Sequence, residues 1–312
     1  MSSDDQRAFE ELDFRLRVLL PEEYQDTYES VQPVSMGSAG LKFDANGHVA
    51  WDEIWQTFCD LAMAGGPPHK GALLEQGTRA DVEAQPERYG EVVAEICRGI
   101  VMATELPATE SPDPGWVRVD CLSETMSAWL VRAIAMENVA VRLQGRALDL
   151  PASPRFRLEK EIKNVVTVIA KTSHYWLGHI PRDQKRAIAD LFVTLNERTP
   201  LVEPAISDEG VRSAEESSLA ASMADAIPRE TGLVASGHQY AGWLGLQCAD
   251  VRSAVWMMRA LVASNVLARR EGTVLYVPLN PDRASTGPTV VRTLAHVHGL
   301  LRCTPGPADP AY

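Results

Sequence analysis

The strongest constraint on how this chain can fold is that it matches itself. At an offset of 127 residues, PGWVRVDCLSETMSAWLVRAIAMENVAVRLQGRALDLPASP (114–154) lies on AGWLGLQCADVRSAVWMMRALVASNVLARREGTVLYVPLNP (241–281) without a gap, and 13 of 41 aligned positions are identical. Among the identities are Gly115/Gly242, Trp116/Trp243, Cys121/Cys248, Trp129/Trp256, Arg132/Arg259, Asn138/Asn265 and Arg142/Arg269. Upstream, Ile100/Ile227, Thr104/Thr231 and Leu106/Leu233 keep the same offset. Two tryptophans and a cysteine in register point to an internal duplication, so the chain must fold as two like units.

Each unit reads as β-α-β-β. In the first copy WVRVDC alternates apolar and polar residues, as a half-buried strand does. Ser123 is placed to cap a helix running to about Glu137. Met126, Trp129, Leu130, Ala133 and Ile134 share one face of that helix, with Glu137 at the same spacing. A hairpin follows, VAVRL to ALDLP around Gln144-Gly145, and the second copy turns at Glu271-Gly272. Pro151 and Pro278 close the last strands. Helices are expected at about 91–104 and 214–227 ahead of each unit. Further helices are expected at 51–64, 158–177 and from about 183. The expected fold is α+β: two β-α-β-β units (114–154 and 241–281), each preceded by helices, in an approximate two-fold arrangement. The expected division is an acidic extension at 1–40 packed on the core, a first repeat domain at 41–154 and a second at 155–285. A helix and Pro-rich tail follow at 286–312, and 203–217 reads as an exposed linker.

Composition narrows the function classes. The chain has 42 acids against 30 bases, a formal charge of −12, which disfavours a surface that tracks nucleic acid or anionic lipid throughout. No run approaches the roughly 18 apolar residues of a membrane span, so no membrane partner is expected. The opening MSSDDQ carries acids where a secretory signal needs bases, so the expected location is the cytoplasm. Five cysteines without a C-x-x-C pair do not form a disulfide framework.

A duplication of this kind creates a seam, and a seam is the natural place for a cleft. Residues that break the repeat are then the informative ones. Gly65-Gly66-Pro67-Pro68-His69-Lys70-Gly71 sets His69 and Lys70 on a rigid loop, where Lys70 would bind an anionic group and His69 would act as general acid or base. The competing reading is a solvated surface turn. His174-Tyr175-Trp176 and His179 close the 158–177 helix. His174 and Tyr175 are candidates for acid–base chemistry, and Trp176 and His179 for substrate contact. As α-helical residues, His174 and His179 stand about 140° apart, and an interfacial helix end competes with the functional reading. A divalent metal, zinc or iron, pooled from His69, His174 and His179 is a candidate cofactor, although no linear spacing requires it. The leading expectation is an enzyme, or an enzyme's accessory subunit, acting on a small anionic metabolite between the repeats.

Two alternatives come from other classes. The segment LGLQCADVRSAVWMMRALVASNVLARREGTVLYVPL resembles the recognition helix and wing of winged-helix regulators through Leu261, Asn265-Val266, Arg269, Arg270, Gly272 and Tyr276, with QYAGWLGL as the preceding helix. That resemblance implies a DNA partner met by Arg252, Arg269 and Arg270. Residues 251–302, with seven arginines against Glu271 and Asp282, agree in sign. Val255, Trp256, Met257 and Met258 in succession disfavour it, because a groove-facing helix needs short polar or basic side chains. The second alternative is a non-catalytic assembly protein that forms a homo-oligomer or joins a partner subunit.

Overall fold

A computed structural model describes residues 3–26, 40–54 and 59–301. The fold is α+β, with two four-stranded antiparallel sheets of strand order β1-β2-β4-β3 and β5-β6-β8-β7. The first unit runs α3 (Pro86–Thr104), β1 (Ala108–Glu110), β2 (Trp116–Asp120), α4 (Glu124–Met136), β3 (Arg142–Gln144), β4 (Ala147–Pro151) and α5 (Lys163–His174), following α1 (Ser3–Leu19) and α2 (Arg79–Ala84). After α6 (Arg182–Arg198), the second unit repeats this order with α7 (Ala214–Thr231), β5 (Val234–Ala235), β6 (Trp243–Gln247), α8 (Val251–Val262), β7 (Arg269–Glu271), β8 (Val274–Pro278) and α9 (Thr286–Leu300). The strands β2/β6, β3/β7 and β4/β8 are each offset by the 127 residues found in the sequence.

The local chemistry is the same in both halves. Ser123 Oγ accepts from Met126 N–H, and Asp250 caps α8 through Ser253 N–H. The hairpins turn at Gly145 and Gly272, whose φ of 61° and 56° lies in the left-handed region glycine enters without strain. Each unit holds more than β-α-β-β. Short edge strands β1 and β5 extend the sheets, and a third helix packs on the leading one, α5 on α3 and α9 on α7. The boundaries expected at 154 and 285 therefore separate α5 and α9 from the helices they pack on. The core is continuous across both sheets, α4, α5, α8 and α9. Leu12, Leu16 and Leu19 bring α1 onto it.

Three sequence-based expectations are corrected. Residues 51–64 are not one helix: single 3-10 turns stand at Trp51–Glu53 and Ala62–Ala64, with non-helical 59–61 before the second; 55–58 lie outside the described residues. The 203–217 stretch is exposed over most of its length but is tied to the core, and from Ala214 it is helix α7 rather than linker. Ala205 N–H donates to Leu279 carbonyl at 2.7 Å, Arg212 bonds Tyr240 carbonyl at 3.0 Å, and Glu216, already in α7, is buried. QYAGWLGL enters strand β6 at Trp243 after a turn, and is not the helix a winged-helix domain would need. The Pro-rich tail at 302–312 lies outside the described residues. Among the described residues, no helix is long and apolar enough to cross a membrane.

Candidate functional site

The seam between the repeats holds a cavity of about 220 Å³. Two extended segments lead into its walls, which include Leu73, Glu75 and Gln76 on one and residues 204–207 just past the other. Leu74 bridges Val139 and Val202 bridges Val266, both in parallel sense. Leu74 N–H donates to Asn138 carbonyl and Val202 N–H to Asn265 carbonyl, each at 2.9 Å. These segments, Leu73-Leu74-Glu75 and Leu201-Val202-Glu203, are themselves repeat-related at an offset of 128, a signal the gap-free alignment passes over. The repeat-equivalent Trp116 and Trp243 both line the cavity, with Glu75, Gln76 and Arg269. Side chains cross the seam as well: Asn138 Nδ2 donates to Arg270 carbonyl at 2.7 Å, Leu143 N–H donates to Glu203 at 3.3 Å, and Arg132 donates to Asn265.

Arg269, expected at a DNA phosphate, is 0% exposed. Its guanidinium lies 4.0 Å from the Tyr276 ring centre, 4.4 Å from that of Tyr240 and 5.2 Å from that of Trp243, and bonds Glu271 at 2.7 Å. Its first-repeat counterpart Arg142 instead pairs with Asp149, which Tyr276 replaces. Arg270 is buried with Nη2 on Gly66 carbonyl. Burial lowers both arginine pKa values. Neither can reach a phosphate. The α8 residues from Ala254 to Val262 are buried too, so this helix cannot enter a groove; Arg252 alone of the three arginines retains some exposure, in its first turn.

The first-repeat candidates sit outside the cavity. Glu137, fully buried, organises them: its carboxylate accepts from Ala62 N–H at 2.9 Å and His69 N–H at 2.7 Å, and it pairs with buried Lys171 at 2.8 Å. Lys70 N–H donates to Glu137 carbonyl, and Asn138 Nδ2 donates to Lys70 carbonyl. His69 Nε2 meets Asn164 Oδ1 at 3.2 Å. Burial, aided by the Lys171 charge, pushes the His69 pKa down to about 3, so His69 is neutral across the physiological range and poorly matched to acid–base work near neutrality.

The aromatic end of α5 forms a separate cluster. The helix closes in a π turn, Tyr175–His179, and i→i+5 winding brings His179 Nε2 within 3.0 Å of His174 Nε2. The 140° separation expected for an α-helix does not apply. His179 Nδ1 meets Glu23 at 2.6 Å. Beside this relay, Tyr175 and Tyr24 hydroxyls lie 2.8 Å apart, and Tyr24 donates to Asp60 at 2.6 Å. Burial pushes the Tyr175 pKa up to about 12 and lowers that of His174, with His179 adding to the latter. Trp176 is buried against Trp129, 5.6 Å between ring centres, and the Lys185 ammonium stands 5.5 Å from its ring centre, so it is packing rather than pocket lining.

His69 and His174 are not brought together. Asn164, beside His69, and His174 are ten residues apart on one helical rod, about 15 Å at 1.5 Å per residue. Among the described residues, no three His, Cys, Asp or Glu side chains are grouped to hold a metal. The pooled zinc or iron site does not assemble. Burial also pushes the thiols of Cys121 and Cys248 up to about 12 and about 11, as packing residues under the helices rather than nucleophiles. Sequence reasoning missed Glu137 and Lys171 as partners. The available signal was a charged residue at an apolar-face position in MSAWLVRAIAMENV and in NVVTVIAKTSHYW.

No family model, curated protein or solved structure matches the chain.

Proposed function

We propose that this protein acts by association, as a non-catalytic assembly protein of the cytoplasm. The observation that carries this reading is how its polar and apolar groups are distributed. Glu137, Lys171, His69, Tyr24 and Tyr175 are spent on bonds that join one element to another. Two depressions larger than the seam cavity are apolar and lined by helices. One of about 650 Å³ lies between α1 and α6 beside Val18, Leu191 and Phe14, the last 65% exposed. Another of about 440 Å³ lies between α7 and α9. Apolar depressions rimmed by charged residues are what partner polypeptides cover. Native mass spectrometry of the chain isolated at its natural abundance tests this. The expected assemblies carry extra mass that is polypeptide, either a second copy or a different chain. A bare monomer with a stoichiometric small molecule or metal would overturn it.

A second reading keeps the expectation of acid–base chemistry and rests on the Glu23–His179–His174 relay, whose outer imidazole is exposed. It places a small anionic metabolite at His174, with Lys70 and the seam playing no part. Loss of turnover in His174→Ala with retained folding would support it.

A further inference from the structure

The two repeats treat the crevice between their outer helices differently. In the first, the segment 41–54 folds over α3 and inserts Trp51, which is fully buried. Its indole N–H donates to Glu95 at 2.8 Å, and Arg98, itself bonded to Glu95, donates to Val49 carbonyl at 2.8 Å. Gly99 makes the room: a Cβ there would stand 3.0 Å from the indole. In the second repeat, Leu219, Met223 and Ala226 of α7 take the places of Val92, Ile96 and Gly99, and with Val291 and Ala295 of α9 they line the open 440 Å³ groove. The position equivalent to Trp51 is Gly178, which lies in the π turn after α5. The second repeat therefore has no segment of its own at that offset to fill the groove.

Resting on the association reading, we propose that the α7–α9 groove is a docking site for a tryptophan-bearing segment of a partner polypeptide, seated as Trp51 is seated on α3 and α5. The chain's own first repeat supplies the template for the occupant. Polar differences between the two crevices refine its chemistry. Ser222 replaces Glu95 and supplies a hydroxyl acceptor for the indole N–H. Asp225 replaces Arg98, so the groove edge offers an acceptor where the first offers a donor. The partner segment should then carry a lysine or arginine two residues before its tryptophan, where Val49 stands relative to Trp51.

The test titrates the full chain with a fluorescein-labelled peptide of sequence 41–54 bearing Val49→Lys. The first crevice is already filled from within, so saturable one-to-one binding reports the second. Binding should weaken at least about tenfold when the peptide carries Trp51→Ala, as removal of a central aromatic anchor does. It should weaken similarly in Ala226→Phe, which fills the groove, and in Ser222→Trp, which caps it from an exposed position and serves if Ala226→Phe fails to fold. Ser222→Glu, restoring the Glu95 partner, should tighten it. No saturable binding, or equal binding by the Trp51→Ala peptide or by either folded blocking variant, overturns the proposal. A homodimer that dissociates in Ser222→Trp would assign the groove to a second copy and overturn the partner segment. If native assemblies persist in Ser222→Trp while the peptide fails to bind, the docking proposal fails and the association reading stands. If the peptide binds but the native chain carries only a small molecule, the association reading fails.

Discussion

At the residue scale, Glu137 does the most to order its surroundings. One fully buried carboxylate holds the turn at Ala62, the loop at His69 and the side chain of Lys171. Two ions of opposite charge are stable in the core only because each satisfies the other, so removing one partner costs more than the pair contributes. Lys171→Met should lower the unfolding free energy by about 3 kcal/mol, near the low end for such breaks because Glu137 keeps two backbone donors. Adding Glu137→Gln should recover part of that loss, read by urea denaturation. His69 adds a pH dependence of defined sign. Its folded pKa of about 3 lies below the ordinary 6.5, so the native state holds it neutral while the unfolded chain takes up a proton. Its contribution is complete above pH 6.5 and is lost as pH falls from 6.5 toward 3, at up to about 1.4 kcal/mol per unit. His174 acts in the same direction. Unfolding free energy measured from pH 6.5 to 5, above most carboxylate titration, should fall less steeply in His69→Gln than in the parent chain. An unchanged slope would place the proton uptake elsewhere.

At the scale of elements, the repeated hairpin separates backbone strain from packing. A Cβ at Gly145 or Gly272 would meet nothing within 4 Å, so alanine there brings no clash, only a left-handed backbone. Each Gly→Ala change should cost about 1–2 kcal/mol, and Gly→Asn less; thermal unfolding of the four variants checks this. These turns were legible in the sequence because strand alternation brackets them, and the same reasoning found α4, α8 and the long helix expected at 158–177, whose middle is α5 and whose two ends are π turns. The edge strands β1 and β5 were not legible: three and two residues, partly buried or exposed, leave no alternation to read. Residues 51–64 carry apolar spacing that suits a helix, but Glu137 takes the amides of Ala62 and His69 while the α3–α5 crevice takes Trp51, and these tertiary bonds override a weak local preference. The candidate sites were legible only as residue types. His69, His174 and His179 could be singled out, but whether they meet depends on a rod length and a π turn. The extended segments at 73–77 and 201–205, which lead into the cavity walls, are held by single bridges to Val139 and Val266 in distant parts of the chain and have no periodicity of their own.

At the scale of the whole molecule, the repeats meet through two equivalent asparagines. Asn138 and Asn265 both have left-handed backbones, φ 60° and 65°, and both turn their side chains to groups beyond their own hairpin. Asn138 bonds the carbonyls of Lys70 and Arg270 and accepts from Arg269. Asn265 accepts from Arg132 and donates to Asn196 and to Thr199 carbonyl. The residue type fits both demands, since asparagine tolerates this backbone and presents a donor and an acceptor. The two demands can be measured apart. Asn138→Ala should lose about 3 kcal/mol, combining about 1–2 for the backbone with the loss of buried hydrogen bonds. Asn138→Gly should regain the backbone share and keep the rest of the loss. Because the Asn138–Arg270, Arg269–Asn138 and Arg132–Asn265 bonds cross from one repeat to the other, the parent chain should unfold in one transition, with circular dichroism and tryptophan fluorescence coincident. The Asn138→Gly/Asn265→Gly variant weakens the seam without straining either hairpin, and its two probes should separate as the repeats unfold apart. Coincident probes in that variant would mean that the continuous apolar core, rather than the asparagine pair, couples the two halves.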